Sequence, residues 1–137
     1  MKVLIDTNVV LDDALAREPY AAQAYQISEA CAAGAFTGYV SAITPVNAYY
    51  VARKTVGNVR AREMIGKLLA IYAICPIDDA VLRAAQASSE ADYEDAVQLA
   101  CALAAGIEVI VTRDPNGFAN AVIPVLSPHN FITRLGG

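Results

Sequence analysis

The sequence predicts an α/β protein, a three-layer α/β/α sandwich around a central short parallel sheet. Three observations predict it. Short apolar segments such as Val3 to Ile5 and Ile107 to Thr112 lack polar alternation, as strands buried on both faces do. Longer stretches carry helical spacing, clearest at Ala61, Met64, Ile65, Leu68, Leu69 and Tyr72. Strand and helix signals alternate along the chain, and right-handed crossovers then place helices on both faces.

Each element has its own warrant. Val3 to Ile5 is the first strand, followed by a helix from about Asn8 to Ala16 that ends before Pro19. A second helix runs from Tyr20 to Ala33 and closes at Gly34. Phe36 to Val40 has strand composition, and a helix opens at Thr44-Pro45, with proline in the first helical position, and runs to Thr55. Asn58 caps the next helix, and Tyr72 to Ile77 is a strand. Asp78 or Asp79 caps a helix ending at Ala87, and Asp92 opens one that stops at Gly106. Ile107 to Thr112 is the clearest buried strand; a short strand near Ile123 to Ser127 and a helix from Pro128 to Leu135 follow. Without a linker or repeat, residues 1–137 read as a single domain.

Composition narrows the setting. Apolar residues are 56 % of the chain, and the excess is largely alanine, which favours close helix packing. No apolar run nears the ~18 residues of a spanning helix, so no membrane association is expected. Apolar character stops at Asp6, which is not how a signal peptide reads, so a cytoplasmic location is expected. Cys31, Cys75 and Cys101 lie far apart in apolar segments and read as small buried side chains. A net charge of −4 argues against coating nucleic acid by charge alone. Charge is nevertheless segregated. Arg53, Lys54, Arg60 and Arg62 fall in an acid-free interval between Glu29 and Glu63, while Glu90, Asp92, Glu94 and Asp95 crowd together.

The acids carry the chemistry. Asp6 ends the first strand, and Asp114 lies just past the end of the fourth, at the sheet edge where such folds bind ligands. Asp92 and Asp95 sit on the first turn of a helix. Singly, each acid can be a cap or a turn residue. Together they would repel, and a shared cation resolves that conflict. Oxygen donors of this kind suit Mg²⁺ or Mn²⁺. Asp12 and Asp13 read as solvated helix acids, and His129 as a structural residue in a Ser-Pro turn.

The segments "LIDTNVVLD", "SAITPVN", "DYEDAVQLACALAAG" and "VIVTRD" come in the order and spacing of PIN-domain proteins, and the chain resembles that family over nearly its whole length. The likeness is nearest to the branch with a "DFEDALQ"-like motif, which includes VapC-type toxins. The resemblance implies a PIN-like fold and a ribonuclease dependent on Mg²⁺ or Mn²⁺. It implies Asp6, Asp95, Asp114 and Asn47 as catalytic residues, and Asp6, Asp95, Asp114 and Asp92 as metal ligands. Asn8 would orient the first acid, and Thr112 would be a supporting hydroxyl. Asn47 occupies the position where many PIN nucleases have glutamate, which removes one charge from the site. Tyr50 and Lys54 share the Asn47 side of their helix, with Arg53 on a neighbouring face beside Tyr49, as candidate contacts for RNA or a partner. An antitoxin protein and a homodimer are further implied partners. The alternative from another class is a PIN-like binding module without catalysis. A haloacid-dehalogenase-like phosphatase is excluded because Asn8 stands where it needs a second Asp, and a phospho-receiver because no lysine follows Lys67.

Overall fold

The computed structural model describes residues 1–136. Its sheet is wholly parallel: β1 (Lys2–Ile5), β2 (Thr37–Ser41), β3 (Ala73–Cys75), β4 (Val109–Val111) and β5 (Val125–Leu126), in the order β3-β2-β1-β4-β5. The connections hold α1 (Thr7–Ala14), α2 (Ala21–Ala32), α3 (Ile43–Val56), α4 (Asn58–Ile71), α5 (Asp79–Ala87) and α6 (Tyr93–Ala104); α7 (Pro128–Gly136) follows β5.

Successive strand side chains point to opposite faces, so one short strand feeds two cores. Val3 and Ile5 pack with Val9, Ile27 and Phe131 from α1, α2 and α7, and Leu68 of α4 joins them. Leu4 and Ile110 face Val81 of α5 and Val97, Cys101 and Ala102 of α6. The three predicted layers are therefore present. Burying each large side chain, as at Phe131, is worth about 1.5–3 kcal/mol. Gly38 permits the close approach of α2 and α4 to β2, because a Cβ there would lie 2.6 Å from Cys31 Sγ and 2.7 Å from Tyr72. All three cysteines are free and buried, as expected. Among the described residues, no helix is long and apolar enough to cross a membrane.

Several boundaries differ from the sequence reading, each for a local reason. The fourth strand is Val109–Val111 rather than Ile107 to Thr112, since the chain is still closing α6 at Ile107. There Gly106 adopts φ +70, its N–H bonding Leu103 O while the Ile107 N–H reaches Ala102 O. Similarly, Tyr72 still bonds Leu68 O, so β3 begins at Ala73. Pro45 is the third residue of α3, not the first; the whole first turn leaves its N–H groups unpaired, so proline fits there too. Asn58 is the first residue of α4, and Gly57 at φ +84 takes the cap position. Asp78, not Asp79, caps α5, accepting from the Val81 N–H at 2.9 Å. Leu69 is 51 % exposed, on the outer side of α4.

The expectation of solvated acids at Asp12 and Asp13 is overturned. Asp12 is 1 % exposed and accepts from Arg17 Nε at 2.8 Å and from Arg113 Nε and Nη2. Asp13 is half-buried, and desolvation raises its pKa. Helical spacing seen one helix at a time does not reveal that Arg113, far along the chain, reaches back to Asp12.

Candidate active site

The winding of the sheet reverses beside β1: β2 and β3 lie on one side of it, β4 and β5 on the other. The carboxyl ends of β1 and β4 therefore frame the crevice where an open parallel sheet binds ligands. Asp6 leaves β1 there, its N–H held by Val111 O at 2.9 Å, and it also caps α1. Its carboxylate is buried, and both oxygens accept hydrogen bonds. Oδ1 accepts from the Thr7 N–H at 2.7 Å and Gln98 Nε2 at 2.9 Å, while Oδ2 accepts from Thr112 Oγ1 at 2.7 Å. These donors come from α1, α6 and the end of β4, so three elements fix one side chain.

Asp95 and Asp114 approach from the adjacent elements. Asp92 caps α6 by accepting from the Asp95 N–H at 2.9 Å, which sets Asp95 on the first turn. Past β4, a 3₁₀ turn at Pro115–Phe118 is anchored by buried Phe118 and folds Gly117 back toward α6. A Cβ on Gly117 would lie 2.7 Å from Asp95 Oδ2 and 3.4 Å from Asp114 Oδ2. Both carboxylates thus converge on a space that only glycine leaves open. Asp95 is pushed up to about 6, first by burial and then by the charges of Asp92, Asp6, Asp114 and Glu94.

Thr112 links the parts. Its hydroxyl bonds Asp6, receives the Asp114 N–H at 3.0 Å, and lies 3.4 Å from Asn8 Nδ2. Asn8 therefore steadies Asp6 through Thr112 rather than by direct contact, and its Oδ1 also accepts from the Arg113 N–H. The Thr7, Thr44 and Ser41 hydroxyls form a second link, with Thr7 Oγ1 2.8 Å from Thr44 Oγ1, which ties the start of α3 to the start of α1. Asn47 Nδ2 donates to Glu94 Oε1 at 3.0 Å, linking α3 to the first turn of α6.

Farther along α3, Tyr50, Arg53 and Lys54 are exposed. Arg53 stacks over the ring of Tyr50 at 5.2 Å, so it joins Tyr50 rather than Tyr49. His129 is exposed on the first turn of α7, within 3.3 Å of Gln23 Nε2. Sequence reasoning missed four residues of this region: Gln98, Glu94, Arg113 and Gly117. The signal for Gln98 was present, since it follows Asp95 by three residues and shares its helix face.

The donor set fits a hard divalent cation. Among the described residues, the ion pairs are Arg17–Asp12, Arg113–Asp12 and Arg83–Asp79, so none of Asp6, Asp92, Glu94, Asp95 or Asp114 is paired with a base. Gln98 is 1 % exposed, and its Oε1 has no partner although its Nε2 holds Asp6. Among the described residues, no three acidic, histidine or cysteine side chains stand close enough together to hold a metal ion by themselves. The arrangement is instead open, as suits an ion held by one or two carboxylates, water and a substrate phosphate.

Two predictions arise here. Gly117→Ala should weaken Mn²⁺ binding by about tenfold, as losses next to metal ligands do, because the methyl group displaces Asp95. Calorimetric titration checks this, and unchanged affinity would show that the Gly117 space is not part of the site. The second concerns pH. An acid raised from 3.8 to about 6 on folding binds its proton more tightly in the folded state. The metal-free protein should therefore lose stability as pH rises through that window, and Asp95→Asn should flatten the slope. Denaturant titrations in EDTA measure both, and equal slopes for the two proteins would contradict it.

The fold and site define a class, an α/β/α protein with a carboxylate cluster at the switch point of a parallel sheet. Within that class the chain belongs to the PIN-domain family, whose model matches residues 2–116. It is similar to a toxin–antitoxin complex from Klebsiella pneumoniae at 25% identity and TM-score 0.69, over 92% of this chain and 97% of that one. It is similar to FitAcB from Neisseria gonorrhoeae at 22% identity and TM-score 0.70, over 93% and 98%. It is also similar to the sarcin-ricin loop cleaving toxin VapC20 of Mycobacterium tuberculosis at 14% identity and TM-score 0.69, over 86% and 94%. No curated protein sequence matches it.

Proposed function

We propose that the chain is a Mg²⁺- or Mn²⁺-dependent ribonuclease and the toxin of a toxin–antitoxin pair. The observation that carries the reading is the convergence of Asp95 and Asp114 on Gly117, beside the buried and immobilised Asp6. Asp6, Asp95 and Asp114 would hold the cation, and Asp92 serves first as the cap that sets Asp95. When bound, such an ion polarises a phosphate and lowers the pKa of a coordinated water. Gln98 and Thr112 keep the Asp6 oxygens from turning away, so little reorganisation opposes the reaction. The Tyr50 face and the Arg53 and Lys54 charges offer a base-stacking and phosphate-binding surface along α3.

RNA is the substrate class in this reading because the similar VapC20 is a sarcin-ricin loop cleaving toxin. An antitoxin is the protein partner in this reading, since the Klebsiella chain is from a toxin–antitoxin complex. A groove of about 490 Å³ between α3 and α4, lined by Pro45, Val46, Tyr49, Tyr50, Ile65 and Leu69, gives an apolar helix somewhere to dock. The reading includes a homodimer, checked by light scattering, and action in the cytoplasm, where free buried cysteines are at home. The deciding assay incubates labelled single-stranded RNA with Mg²⁺ or Mn²⁺. Cleavage abolished by EDTA supports the reading; no cleavage of any RNA, with no Mn²⁺ binding, favours a binding module instead.

A further inference from the structure

Asp12 gathers two cations where one would balance it. Arg17 Nε and Arg113 Nη2 both donate to Asp12 Oδ1, at 2.8 and 3.3 Å, and Arg113 Nε donates to Oδ2. The two guanidiniums therefore lie side by side, and among the described residues neither is ion-paired with another acid. One buried carboxylate leaves a surplus positive charge on a pair that would otherwise repel. The bonds also fix which way each group faces. Arg17 uses Nε on Asp12 and Nη2 on Asn8 O at 3.2 Å, while Arg113 uses Nε and Nη2 on Asp12. Because a guanidinium is planar, both Nη1 groups turn away from Asp12, and neither has a hydrogen-bond partner among the described residues. Tyr20 packs on the Arg113 plane at 3.9 Å, and the Arg17 and Arg113 side chains stay 36% and 28% exposed.

The pair is tied to the candidate active site. Asn8 accepts from Arg17 through its backbone oxygen and from the Arg113 N–H through Oδ1, and its Nδ2 meets Thr112. Arg113 itself immediately precedes Asp114. Preorganised N–H groups with a surplus charge suit a phosphate, whose oxygens match the guanidinium fork. We propose that Arg17 and Arg113, seated on Asp12, form a subsite for an RNA backbone phosphate flanking the one that is cleaved. The inference rests on the ribonuclease reading above and extends it to the path of the RNA past α1. Asp12 is the positioning residue. It holds both guanidiniums before the RNA arrives, so little side-chain entropy is lost on binding.

Fluorescence anisotropy of a labelled single-stranded RNA in EDTA, repeated across a salt series, tests this on the full chain. Each phosphate contact adds about 0.7 to the slope of log affinity against log salt. Arg17→Gln removes one cation while Arg113 stays paired with Asp12. Affinity should fall about tenfold and the slope by about 0.7. Arg17→Lys keeps the charge and should keep the slope. Arg83→Gln changes the net charge equally, at an exposed pair on α5, and should alter neither quantity. An unaltered slope in Arg17→Gln overturns the proposal, as does an equal loss in Arg83→Gln. A slope lost in Arg17→Lys as well would make the role of the arginine structural and overturns it too. Wild-type protein that cleaves RNA with Mn²⁺ but gives any of these results keeps the ribonuclease reading and loses the subsite. The expected losses in a protein that cleaves no RNA with Mg²⁺ or Mn²⁺ would contradict the ribonuclease reading and leave the phosphate site standing.

Discussion

If the proposed function holds, Asp6→Asn should lower metal-dependent RNA cleavage by at least about a hundredfold, the upper end of losses next to a metal, while the fold persists. The substitution separates chemistry from structure because asparagine keeps most of the bonds Asp6 makes. Its carbonyl oxygen can still accept from Thr7 N–H and Gln98 Nε2, and its amide can donate to the Thr112 hydroxyl. Removing a charge from the cluster also relieves repulsion. Stability in EDTA should therefore stay within about 1 kcal/mol of wild type. What is lost is the central negative charge and an oxygen donor on the rigid side of the site. Residual activity within a few-fold of wild type would remove Asp6 from the chemistry, whatever the geometry suggests.

The largest effect on stability is expected at a residue outside the chemistry. Asp12→Ala should lower stability by about 3 kcal/mol, because removing one partner of a buried ion pair strands the other charges. The value lies at the low end for such losses, since Arg17 and Arg113 are 36% and 28% exposed and regain some hydration. For a chain of this size, the midpoint of melting should fall by about 10 °C. The damage should spread. Arg113 also stacks over Tyr20 at 3.9 Å and immediately precedes Asp114, so freeing it loosens the loop that carries a site carboxylate. Mn²⁺ affinity should drop together with the melting temperature. A melting temperature unchanged by Asp12→Ala would mean that the pair contributes no net stability.

Much of the fold was legible because its signals are local. Unbroken apolar strands, glycine at helix ends and aspartate at helix starts each follow from backbone chemistry within a few residues. Gly34, Asp78 and Asp92 all stand where that chemistry put them. Asp6 and Asp114 were placed at one edge because parallel strands with intervening helices bring their carboxyl ends together. The rest depends on contacts between distant residues. Nothing near Asp12 in the chain announces Arg113, and Gln98 in an alanine-rich helix looks like packing until Asp6 is seen against it. Glu94 was visible as an acid, but its bond to Asn47 joins residues far apart in the chain. Gly117 was hidden most completely. Its importance is the space it leaves between two carboxylates, and a sequence does not display space.

The central claim is that Asp6, Asp95 and Asp114 form a divalent-cation site. Crystals soaked in MnCl₂ and measured at the manganese absorption edge test it most directly. The account predicts an anomalous peak beside Gly117, between Asp95 and Asp114 and facing Asp6, that is lost in Asp6→Asn crystals treated alike. Manganese bound elsewhere, or no peak in well-diffracting crystals at saturating Mn²⁺, would contradict it.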